Sequence, residues 1–153
     1  MGTALPAFAD TAAPMAPVEI PAAPAGADLT KLAVAFLDAC VTRDADYVAA
    51  NSIEDPVGSF SSFGSGAPKI SDRIEFAEHL RPLKKVGWDG LDPKGWVSGN
   101  VAWFADVADG ILPDGKKIPI RISLVMRNTG AGWKVVHVHV SEGVHRDGIR
   151  KGS

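Results

Sequence analysis

Apolar positions follow two rhythms along the chain. Leu29, Leu32, Ala33, Phe36, Leu37 and Cys40 recur at the i, i+3, i+4, i+7 spacing of an amphipathic helix. The spacing predicts a helix over 29–42, with Asp28 as its N-cap. Asp44 can cap a second, short helix that carries Tyr47 and Val48 and finishes before Pro56. Ser71 can cap a third, with Ile74, Phe76, Ala77 and Leu80 facing inward, weakened at Pro82. Between the second and third helices, Phe60 and Phe63 stand in a Gly/Ser background, which reads as a short strand followed by a loop. From Gly87 onward the rhythm changes to period two. Turn signals at Asp92-Pro93, Gly99-Asn100, Pro113-Asp114-Gly115 and Asn128 to Gly132 separate strands near 88–98, 100–112, 117–128 and 132–143. Helices first and an antiparallel meander after them make an α+β domain.

The turns also predict register. Pro113, Asp114 and Gly115 fit a type I turn closed by a left-handed glycine, which sets Leu112 opposite Lys116. Phe104 then faces Leu124, Asp106 faces Ile122, and Trp103 faces Val125. For the last hairpin the apolar alternation sets Leu124 opposite Val136, Ile122 opposite Val138, Ser123 opposite His137 and Arg121 opposite His139. The sheet acquires two faces. Phe104, Asp106, Ile122, Leu124, Val136, Val138 and Val140 share one. Trp103, Arg121, Ser123, Val125, Trp133, His137 and His139 share the other. Neither is plainly charged, so each is expected to be covered: the first by the helices, the second by another subunit.

Composition narrows the function classes. The chain has 153 residues, 46% apolar and 22% charged, which suits one globular domain. A net charge of -2 without a basic block disfavours nucleic acid as a partner. No apolar run reaches the roughly 20 residues of a membrane span. The single cysteine, Cys40, leaves no internal disulfide and sits at a core position of the first helix. Residues 1–27 are rich in Ala and Pro and read as a disordered or extended arm, dispensable for folding. Ala4 to Ala9 resembles the end of a secretory signal, which leaves an exported and a cytoplasmic location both open. The domain is expected over 28–144, with a polar tail at 145–153.

Candidate chemistry is sparse. The Gly/Ser stretch at 57–68 is not followed by Gly-Lys-Ser/Thr, so a phosphate loop is unsupported. His137 and His139 lie two apart on one strand face, a spacing that can serve zinc. No third ligand converges, and Arg121 beside them disfavours a second cation; no metal and no cofactor are expected. Ser141 stands about 7 Å from the nearer histidine, too far for a nucleophile and its base. Asp106 is the exception. A carboxylate on an apolar face loses hydration unless donors compensate, so it anchors backbone, faces a ligand or acts as a base.

Helix, short helix, strand, helix and a bent meander resemble the nuclear transport factor two-like cone. Within it, Pro119 to Arg127 followed by Gly132 to Ser141 resembles the SnoaL-like domains. The Trp-x-x-Val-His-x-His-x-Ser ending at 133–141 is also similar to the association domain of calcium/calmodulin-dependent kinase. The resemblance covers roughly residues 28–144. It implies three N-terminal helices on a strongly bent antiparallel sheet, a conical cavity on the valine face and a homodimer through the opposite face. Where the kinase hubs carry a cavity arginine after the second histidine, this chain has Val140, a departure from a hub-type anion pocket. The expected function is a homodimeric domain whose apolar cavity binds a small hydrophobic molecule through Tyr47, Phe104, Asp106, Ile122, Leu124, Val136, Val138 and Val140. Two alternatives stand beside it: an isomerase, cyclase or dehydratase with Asp106 as general base, and an assembly module with a vestigial pocket.

Overall fold

Side-chain caps and one left-handed residue set the helix ends. In the computed structural model, which describes residues 21–54, 59–61 and 70–142, helix α1 spans Ala27–Thr42. Its N-cap is Gly26 rather than Asp28, which falls in the first turn, where its charge still favours the helix dipole. Arg43 ends the helix with φ 66°. Its guanidinium compensates by donating to the carbonyls of Cys40 (2.8 Å) and Lys84 (3.0 Å). Helix α2, Ala45–Asn51, follows at once, with the Asp44 carboxylate accepting from the Tyr47 amide at 3.0 Å. Strand β2 is Ser59–Ser61, and helix α3 is Arg73–Leu80. Asp72, not Ser71, caps α3, accepting from the amides of Ile74 and Glu75. Ser71 instead pairs its backbone with Phe60. Ile74, expected to face inward, is 50% exposed, and Phe76, Ala77 and Leu80 carry the buried face.

Among the described residues the sheet has seven strands. Beside β2 these are β1 Ala23–Pro24, β3 Gly87–Asp89, β4 Lys94–Ser98, β5 Val101–Ile111, β6 Lys117–Asn128 and β7 Trp133–Glu142. Their order is β1-β4-β5-β6-β7-β2, with β3 also on β5. All pairs are antiparallel except β2 with β7. The single strand expected near 88–98 is two strands along one edge of β5: β4 against 101–105 and β3 against 109–111. Gly90, at φ 74°, and Pro93, which has no N–H to give, break it.

Register follows the turn chemistry between β5 and β6. Phe104 faces Leu124, Asp106 faces Ile122, and Trp103 faces Val125. Gly115 has φ 82°, and Leu112 and Lys116 close the hairpin at 2.8 Å. The β6–β7 register differs by two residues from the one the alternation predicts, and it shifts again between Val125 and Met126. Ile122 faces Val140, Leu124 faces Val138, Ser123 faces His139 and Arg121 faces Ser141. Val136 is the extra residue of the bulge. Beyond it the faces exchange: Val135 is fully buried, Val136 is only half-buried, and Trp133 packs against the core.

The helices pack on the face that carries Phe104, Ile120, Leu124, Val135 and Val138. Phe36, Leu37, Val48, Phe60 and Leu80 fill the space from the other side. Each such side chain contributes about 1.5–3 kcal/mol by leaving water. The rings of Phe60 and Phe76 stack at 5.5 Å and tie β2 to α3. Two glycines admit the bulk of neighbouring strands: a Cβ on Gly95 would lie 2.2 Å from the Phe104 ring, and one on Gly110 would lie 2.3 Å from Ile120 Cδ1.

The end of the N-terminal arm is part of this sheet. Ala23 faces Val97, Pro24 faces Trp96, and the Ala25 amide donates to the Gly95 carbonyl at 2.8 Å. Prolines are tolerated there because β1 is an edge strand. Deleting residues 1–26 is therefore expected to cost about 1–2 kcal/mol and to lower Tm by about 5 °C or more in thermal denaturation. An unchanged Tm would show that this pairing carries no stability. The signal-like run at 4–9, the loop over 62–68 and the tail at 145–153 lie outside the described residues.

Candidate functional site

Asp106 stands where β5 changes partner from β4 to β3. Residues 90–93 loop past it, and no strand pairs with 106–108 on that edge. Its half-buried carboxylate substitutes for the missing ladder. Oδ2 accepts from the Asp92 amide and Oδ1 from the Val107 amide, both at 2.7 Å. Lys94 pairs with the Asp92 carboxylate, and Lys117 with Asp89, holding the Asp89 carboxyl below its usual range. Asp106 is thus a loop anchor with both oxygens engaged by backbone donors.

The other residues expected to line an interior site do share one side of the sheet, with one exception. Phe104, Ile122, Leu124, Val138 and Val140 are buried among the helices, and Tyr47 packs half-buried at their margin. Val136 leaves the set because of the bulge, and Val135 takes its place. Among the described residues two buried polar atoms have no hydrogen-bond partner: Nε2 of His79 and Nε1 of Trp88. Nothing in a periodicity distinguishes a satisfied indole from an orphaned one.

The opposite face is laid out by register. His137, Val125, Trp103 and Trp96 form one cross-strand row; His139, Ser123, Ala105 and Lys94 form the next; Ser141, Arg121 and Val107 begin a third. Trp133, expected here, is on the core side instead, because the bulge reverses its face. Trp96 takes part unexpectedly. The two-residue loop Gly99-Asn100 sets Ser98 opposite Val101 and hence Trp96 opposite Trp103, a register the sequence already carried. Trp96 is 41% exposed, Trp103 37% and Val107 69%.

Burial pushes the Cys40 thiol up to about 12, so it is protonated and inert in the folded chain. Among the described residues no group of three or more His, Cys, Asp or Glu could hold a metal ion. Among them, too, no helix is long and apolar enough to cross a membrane.

Comparison with known proteins agrees with this geometry. The chain is similar in structure to an NTF2-like protein of unknown function from Pseudomonas putida KT2440, at TM-score 0.64 and 14% identity, covering 80% of this chain and 89% of that one. It is similar to an NTF2-like protein with a cystatin-like fold from Novosphingobium aromaticivorans, at TM-score 0.60 and 17% identity, covering 78% and 82%. The association domain of C. elegans CaMKII matches at TM-score 0.60 and 21% identity, covering 74% and 92%. These likenesses carry the fold. Among curated proteins none matches the sequence. The family model of the SnoaL-like domain matches residues 29–145. The α+β architecture of three helices on a bent sheet is the NTF2-like fold, and the chain belongs to the SnoaL-like domain family.

Proposed function

We propose that this chain is a homodimeric binding domain: two copies meet through the Trp/His face of the sheet, and the interior takes a small hydrophobic molecule. The observation that carries the reading is the exposed Trp96–Trp103 pair, flanked by Val101, Val107 and Val125 on a face that no helix of the described residues covers. Apolar surface of this size favours a partner, and a two-fold axis lets one such face cover another. Arg121, Ser123, His137 and His139 supply a polar side to the same face. The apolar wall of Ile122, Leu124, Val138 and Val140 is the part of the interior that would meet a ligand.

The fold also includes ketosteroid-isomerase-like and dehydratase-like members. The enzyme reading with Asp106 as base would have a carboxylate that already accepts the amides of Asp92 and Val107, one on each oxygen, take a proton on a remaining lone pair. An assembly module with a vestigial pocket shares the dimer but predicts no ligand.

Sedimentation of the wild type and of Trp103→Glu tests the interface. The wild type is expected to be dimeric at micromolar concentration. Losing a central tryptophan and burying a charge raises the dimer Kd by about 30-fold or more, while far-UV dichroism stays unchanged. A monomeric wild type, or a variant that stays dimeric, overturns the assignment.

A further inference from the structure

Buried hydrogen-bonding atoms in folded proteins almost always find partners, so the two orphans call for an explanation. An indole N–H can only donate. Trp88 lies on β3, half-buried against the core, with its Nε1 shut off from solvent. His79 lies in the last turn of α3, with its Nε2 equally enclosed.

Both belong to segments fastened to one corner of the molecule. The amide of Val86, two residues before Trp88, donates to the Val41 carbonyl at the end of α1. Arg43 reaches the Lys84 carbonyl from the same end. Arg81, two residues after His79, pairs with Asp46 in the first turn of α2. The junction of α1 with α2 thus gathers the end of α3 and the start of β3. The Arg43 guanidinium is fixed there and adds positive potential.

We propose that this corner is the polar end of the interior binding site, and that its ligand presents an oxygen acceptor, a carbonyl or a carboxylate, to the Trp88 indole proton. His79 is the second contact, and its tautomer decides whether Nε2 donates or accepts. The apolar wall then holds the body of the ligand, and the corner orients it. The proposal rests on the interior-binding reading above.

The test uses the full chain labelled with ¹⁵N. The four tryptophans give indole signals, and Trp88→Phe identifies the one that matters. Three probes are added in turn: cyclohexanone, cyclohexanecarboxylate and methylenecyclohexane, which has the shape of the ketone without its oxygen. An oxygenated probe is expected to move the Trp88 indole proton downfield, well beyond any shift from methylenecyclohexane. Trp88→Phe should weaken that probe about 3- to 10-fold relative to methylenecyclohexane. His79→Phe should act in the same direction. If all three probes bind with equal shifts, the interior site stands and the acceptor assignment falls. If none binds, both fall. A contact between the indole proton and an ordered water that persists at saturating probe also overturns the assignment, since water is then the acceptor.

Discussion

Gly95→Ala is expected to destabilise the protein by about 3 kcal/mol or more, the upper range of overpacking, and Gly95→Val to prevent folding. The added Cβ would lie 2.2 Å from Cε1 and 2.3 Å from Cδ1 of Phe104. That ring is 2% exposed and enclosed by the core, so it has no free side to move toward. β4 is held in turn between β1 and β5, which limits any retreat of the backbone. Urea denaturation measures the loss. The diagnostic is its suppression: Phe104→Leu vacates part of the space, so the double variant should be more stable than the sum of the two single changes allows. If Gly95→Ala stays within about 0.5 kcal/mol of wild type, the ring has room to yield, and the interior is open at that point.

Asp106→Leu is expected to cost about 2–3 kcal/mol, and Asp106→Asn about 1 kcal/mol. The carboxylate is the acceptor for two amides at a place where the strand edge offers none. Leucine leaves both without their partner, although partial exposure lets water soften the loss. Asparagine keeps one acceptor oxygen and turns an N–H group toward the other amide. Native-state hydrogen exchange gives the local readout: the amides of Asp92 and Val107 should lose protection first. A leucine variant as stable as wild type would show that the loop holds itself without the carboxylate.

Local chemistry made part of this fold legible. Pro113-Asp114-Gly115 admits one turn type, and that turn sets the β5–β6 register from Val101 to Arg127. The last hairpin had no such marker. Its Thr129 to Gly132 loop is compatible with several closures, and alternation of period two is blind to a shift of two residues. The bulge at Val136 is silent in sequence, because valine suits either face. It moved Trp133 to the core side and replaced Val136 by Val135. The Trp/His face survived these errors because a slip of two preserves sidedness up to the bulge. Asp106 was placed correctly on its strand, but its partners were not legible. One is the amide of the next residue, Val107, and the other, that of Asp92, comes from a loop fixed by the break at Gly90 and Pro93, a tertiary event with no periodic signature.

The shortest strands decide how this sheet meets other molecules. β4 and β7 would otherwise each present a row of unsatisfied amides and carbonyls to any extended chain nearby. β1 covers one of them and β2 the other. Exposed edges of this kind template edge-to-edge aggregation, and covering them is a common protection. Ala23 and Pro24 therefore shield part of β4 as well as adding their few hydrogen bonds. With β4 and β7 capped by these short strands, the Trp/His face is the broad apolar surface among the described residues. In the dimer proposed above, self-association would run to a closed pair and not to an open-ended ladder of strands.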